Sequence, residues 1–102
     1  MIDQIRNALY NGKVVWQKHA LQRMMERGIA RDEVKQAILT GVVIENYSND
    51  MPFPSLLIAM VDGVPLHVVV AYDEMNRTVY IITVYRPDER YFEEDLITRR
   101  KS

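Results

Sequence analysis

The sequence changes its hydrophobic period halfway along, and that change constrains the fold more than any other feature. From residue 42 onward the apolar residues come in short runs rich in β-branched and aromatic side chains. These are "VVIENY" (42–47), "LLIAMV" (56–61), "VPLHVVVAY" (64–72) and "TVYIITVYR" (78–86). Runs of this length and composition read as strands. Asp62-Gly63 joins two of them, and a two-residue D-G link between apolar runs is a strong hairpin signal. "NDMPFPS", with Pro52 and Pro54, reads as a rigid loop. Before residue 42 the period is helical. Ile2, Ile5, Ala8 and Leu9 predict a helix over 2–10, stopped at Asn11-Gly12. "KVVWQ" reads as extended. Ala20, Leu21, Met24 and Met25 predict a helix over 18–27, ended by Gly28. A third helix is expected over 31–40, closed by Gly41, with Ile29 and Val34 at staple spacing. Its entry is only half built, because Ala30 stands at the N-cap and has no side-chain acceptor. Helices first and a meander second predict an α+β fold: N-terminal helices packed on one face of an antiparallel three- to four-stranded sheet. The 102 residues form one domain, 1–102.

The D-G turn also predicts a register. Val61 opposite Val64 puts Ile58 opposite His67, and Tyr72 opposite Thr78 puts His67 opposite Thr83. One face then carries Leu56, Ile58, Met60, His67, Val69, Ile81, Thr83 and Tyr85. The other carries Leu57, Ala59, Val61, Leu66, Val68, Val70, Tyr80, Ile82 and Val84, and its more uniform apolarity makes it the face expected to meet the helices. A slip of one residue exchanges the two.

Composition narrows the functions. There are no cysteines, which excludes disulfides, thiolate zinc sites and a thiol nucleophile, and fits a reducing cytoplasm. No apolar run is long enough to span a membrane, so no membrane partner is expected, and "MIDQIRNALYNGK" carries an acid and no apolar signal region, so secretion is not expected. The net charge is −1, so any nucleic-acid role must rest on a local patch. Charge is indeed uneven: residues 1–31 hold six Lys/Arg against Asp3 and Glu26, whereas Asp88, Glu89, Glu93, Glu94 and Asp95 gather just before the basic end "RRKS". That end reads as solvated and frayed.

Three features carry chemistry. His19, Arg23 and Arg27 recur every fourth residue, which in a helix confines them to an arc of about 80°, roughly opposite the apolar side. An imidazole and two guanidinium forks suit a phosphate; the plain alternative is a polar helix face with Glu26 neutralising Arg23. His67 stands alone in an apolar strand, where Thr83 and Tyr85 either satisfy it or share a substrate with it. Tyr85 and Arg86 close a strand just before Pro87. The two histidines have no third ligand at a metal-binding spacing, so neither metal nor cofactor is expected.

"KHALQRMMERGI", "EVKQAILTG", "PLHVVVAYD" and "ITVYRPD" together resemble a family of bacterial domains of unknown function grouped with the RelE-like toxin and barnase-like ribonuclease folds. The family pattern runs H-A-x-x-R-x-x-x-R-G-I, then E-V and a glycine, then P-L-H-V-V, then T-V-Y-x-P-D, over about residues 14–90. The resemblance implies a cytoplasmic toxin that cuts RNA, ribosome-associated RNA included, without a metal and is held inactive by an antitoxin protein. His19, Arg23, Arg27, His67, Tyr85 and Arg86 are the positions that match. On this reading His67 or His19 serves as base or acid, Tyr85 as proton donor or base stacker, and Arg23, Arg27 and Arg86 as phosphate clamps. The chain departs from RelE-like toxins in being mildly acidic, and "YFEEDLITRRKS" lies outside the pattern. The competing expectation is a non-catalytic protein-binding module or homodimer, in which a partner or second copy covers one apolar sheet face.

Overall fold

Three helices form where the apolar spacing predicts them: α1 (Ile2–Tyr10), α2 (Lys18–Arg27) and α3 (Arg31–Thr40). The computed structural model describes residues 1–101. In α1 the buried residues are Ile5, Ala8 and Leu9, in α2 Ala20 and Met24, and in α3 Val34, Ala37 and Ile38. Gly28 takes the left-handed conformation (φ 65°) that ends α2. Around it Ile29 N–H bonds Met24 O at 2.9 Å and Gly28 N–H bonds Met25 O at 3.4 Å, the paired bonds of a Schellman cap. Ile29 is then buried and leads directly into α3. Ala30 makes no side-chain cap, as expected.

Gly41 is glycine for want of space, since its φ of −75° is open to any residue. A Cβ there would lie 2.4 Å from Ala37 O and 2.7 Å from Ala59 O, both backbone atoms. The end of α3 is thus pressed against the sheet. Arg6 satisfies its open carbonyls, donating Nε–H to Ile38 O and Nη2–H to Gly41 O, each at 3.0 Å.

The strands are β1 (Val14–Trp16), β2 (Val42–Tyr47), β3 (Ser55–Met60), β4 (Leu66–Asp73) and β5 (Thr78–Tyr85). They form a five-stranded mixed sheet in the order β1-β5-β4-β3-β2. This corrects the expected three to four antiparallel strands: "KVVWQ" contributes β1, which pairs in parallel with β5. Its three residues were too few for a period to be read.

The predicted register is also corrected. Ile58 pairs with Val68 and Ala59 with His67, and the last rung is Met60 with Leu66. The connection is therefore Val61–Pro65 and longer than a D-G turn. Pro65 has no N–H to give the ladder opposite Met60, so pairing stops one residue earlier. The helix-facing side consequently carries Leu56, Ile58, Leu66, Val68, Val70, Val79, Ile81 and Val84, packed against the three helices. The prediction placed β4 correctly on this side, but turned β3 over and misplaced Tyr80, Ile81 and Ile82 in β5. His67, Val69, Thr83 and Tyr85 do share the opposite face.

Among the described residues no helix packs on that opposite face. Residues 91–100 close over part of it as a small hairpin. Glu93 N–H bonds Thr98 O at 2.7 Å and Arg100 N–H bonds Tyr91 O at 2.9 Å. Asp95 holds the bend, its Oδ1 accepting from the backbone N–H groups of Ile97 and Thr98 at 2.9 Å each. The expectation of a frayed basic end is overturned for Arg99 and Arg100, which are both ion-paired.

Candidate functional site

The helix-free face gathers its polar residues through two bulges. In β5 the pairing moves from Val70–Ile81 to Val69–Thr83, leaving Ile82 as the extra residue. That shift sets Tyr85, instead of Val84, opposite His67. In β2 the pairing moves from Val43–Ile58 to Glu45–Leu57, with Ile44 extra. Glu45 and Tyr47 are thereby turned onto the face that carries His67. Bulges re-aim side chains in this way and recur beside functional sites.

His67 is fully buried, and both of its ring nitrogens are engaged. Nε2 lies 2.8 Å from Leu96 O and Nδ1 lies 3.1 Å from the Tyr85 hydroxyl. A carbonyl oxygen can only accept, so Nε2 carries the proton and Nδ1 accepts from Tyr85 O–H. Phe92 and Tyr85 enclose the ring edge-on, with centroids 4.7 and 5.2 Å away. Burial pushes the His67 pKa down, against a smaller upward pull from the Leu96 carbonyl; Arg99 lowers it further and Glu45 raises it. Burial likewise pushes the Tyr85 pKa up. The pair at rest is a neutral imidazole and a neutral phenol.

Beside it stand Glu45, Tyr47 and Arg99. The Arg99 guanidinium donates through Nε and Nη2 to the two Glu45 oxygens, and the Tyr47 hydroxyl donates to the same carboxylate. Arg99 holds the Glu45 carboxyl below its usual range, partly opposed by burial. Arg99 also lies over the Phe92 ring, 4.8 Å from its centroid. The C-terminal hairpin therefore does three things here: Leu96 fixes the imidazole tautomer, Phe92 covers the ring, and Arg99 neutralises the carboxylate.

The other predicted site residues are elsewhere. His19, Arg23 and Arg27 lie on α2, which packs on the far side of the sheet, so the structure does not bring His19 and His67 together. Arg23 makes a long 3.8 Å contact with Glu26. Arg86 follows Tyr85 and points the other way. Its Nη1 donates to Glu33 at 2.6 Å, at the start of α3, and to Pro65 O at 3.1 Å, which ties sheet to helix. Of the six predicted positions, only His67 and Tyr85 meet. Glu45, Tyr47 and Arg99 were not anticipated. The alternation of Glu and Tyr in "VVIENY" placed them on one face, but nothing in the sequence said which. Among the described residues no group of three His, Cys, Asp or Glu side chains is placed to hold a metal ion.

This fold and cluster define a small α+β domain with a covered polar site on the helix-free face of its sheet. The family model for a domain of unknown function, DUF4258, matches residues 16–86, and the chain belongs to that family. No curated protein and no solved structure matches the chain. The matched segment contains Glu45, Tyr47, His67 and Tyr85, while the hairpin that covers them lies beyond it.

Proposed function

We propose that the domain is a RelE-like, metal-independent endoribonuclease of the toxin type, acting through His67 and Tyr85. The observation that carries this reading is the hydrogen-bonded imidazole–phenol pair, set by a bulge on the sheet face that the helices leave free. Cleavage through the ribose 2′-hydroxyl requires a base for that hydroxyl and an acid for the departing 5′-oxygen.

The chemistry runs through the other tautomer of His67. With the proton on Nδ1, that N–H donates to the Tyr85 oxygen and leaves the Tyr85 O–H free. Nε2 takes the proton of the 2′-hydroxyl as its oxygen bonds to phosphorus. The P–O5′ bond breaks and Tyr85 gives its proton to the departing O5′. The imidazolium then returns a proton from Nδ1 to the phenolate. The products are a 2′,3′-cyclic phosphate and a 5′-hydroxyl. Arg99, ion-paired to Glu45, is a cation of the same cluster. On this reading the hairpin in place is the resting form, because the Leu96 carbonyl favours the unproductive tautomer. A bacterial cytoplasm, an RNA target at or off the ribosome, and an antitoxin that restrains the enzyme belong to the same reading.

The second reading is a non-catalytic binding module or homodimer. It is favoured by one observation: His67 is buried with both nitrogens satisfied. Incubating the protein with end-labelled single-stranded RNA in excess chelator separates the two, using wild type and the hairpin-loosening variant Phe92→Ala. The nuclease reading expects fragments with 2′,3′-cyclic phosphate ends, formed faster by Phe92→Ala. RNA left intact by both proteins sinks it and favours the module.

A further inference from the structure

A second feature of the same sheet face is an open cavity of about 210 Å³ between β4–β5 and the proline-rich loop. Val69 and Ile82 lie on its sheet side, and Phe53 from the loop stacks on Tyr80, ring centroids 5.5 Å apart and planes 18° from parallel. Gln17 and Asp50 supply polar groups to its lining. Asp50 is held by the hydroxyl of Ser55, which donates to Oδ2. No residue of the C-terminal hairpin lines the cavity, so it is open while His67 is covered. Val69 is two residues from His67 on β4, a spacing of roughly 6.6 Å along a strand.

We infer that this cavity is a nucleobase subsite, taking the base of a nucleotide whose ribose and phosphate extend along β4 toward His67. The inference rests on the ribonuclease reading. The size fits one planar ring system and is too small for a drug-sized ligand. An apolar wall with an aromatic stack suits a ring with two π faces. The Asp50 carboxylate repels a phosphate, so the phosphate must lie at the other end, which fixes the direction of the ligand. Asp50 Oδ1 has no partner among the described residues and accepts an N–H from the base edge. Adenine, cytosine and guanine offer an exocyclic amino group there and uracil its N3–H, so each of the four bases supplies the donor.

The test is a titration of the full chain with each of the four nucleoside 3′-monophosphates, followed by amide chemical shifts. Shifts are expected at Gln17, Asp50, Phe53, Val69 and Tyr80. Phe53→Ala is expected to weaken binding on the order of 10-fold or more. Asp50→Asn is expected to weaken binding of all four while the melting temperature stays close to wild type. No shifts in this region overturns the proposal. So does Phe53→Ala binding as well as wild type. Nucleotide binding here with no RNA cleavage by any variant leaves the subsite standing and removes the nuclease reading. Cleavage without binding here does the reverse.

Discussion

His67 is where stability and chemistry compete. Its folded-state pKa is depressed by burial, so the unfolded chain binds a proton first as pH falls. Stability is then fully present above about pH 6.5, declines as pH drops below it, and flattens once the folded-state value is passed. Glu45, held low mainly by Arg99, adds a separate loss below about pH 4.5. Denaturant titrations from pH 2 to 8 should show both limbs, and His67→Gln should abolish the upper one alone. A profile for His67→Gln that still falls between pH 6.5 and 5 assigns that limb to another group. Tyr85→Phe leaves Nδ1 without its donor in a buried niche and should cost about 1–3 kcal/mol. A melting temperature equal to wild type would show that water reaches that nitrogen. The sequence exposed His67 and Tyr85 because each interrupts an apolar pattern. Leu96 acts through its backbone carbonyl, and no side-chain pattern reveals that.

Elements were more legible than their pairing. The three helices run over the residues their apolar spacing marks, because i, i+3 and i+4 burial and the Gly28 cap are local properties. Register is nonlocal, and three features that periodicity cannot express decide it. These are Pro65, which shortens the β3–β4 ladder, and the extra residues Ile44 and Ile82. Glu45 stayed hidden for that reason: without the bulge, strict alternation from Val43 pairs it with Leu56, on the helix side. The junction of α3 with the sheet gives an element-scale prediction. Gly41→Ala drives a methyl into backbone oxygens of α3 and β3 and should destabilise by about 1–3 kcal/mol, read as a lower melting temperature. An unchanged melting temperature would mean the helix end can lift. The C-terminal hairpin gives another. Phe92→Ala should speed amide exchange at Glu93 and Arg100, whose N–H groups close the hairpin, while the amides of β4 stay protected. Equal acceleration in β4 would make the hairpin part of the global fold.

At the scale of the whole molecule, the sheet separates two surfaces. The α2 side carries His19, Arg23 and Arg27, and the helix-free side carries His67, Tyr85, Glu45 and Arg99. The Cα radius of gyration, 13.0 Å, is that of one packed domain, so an RNA strand has to follow the surface to touch both. If the α2 stripe guides RNA, Arg23→Ala plus Arg27→Ala should weaken binding and lower the salt slope by about 1 to 2. An unchanged slope would confine RNA to the helix-free face. The family, the fold class and the helix layer were readable from one sequence; the covered cluster was not, because it is assembled across three strands and a hairpin from beyond the family segment. The most direct test of that cluster is His67→Gln, assayed for melting temperature and RNA cleavage in one preparation, well below the melting point and in chelator. The account predicts a folded protein of lowered melting temperature whose cleavage rate falls by ~10²–10⁴-fold. A lowered melting temperature with cleavage at the wild-type rate would contradict it and make His67 a packing residue.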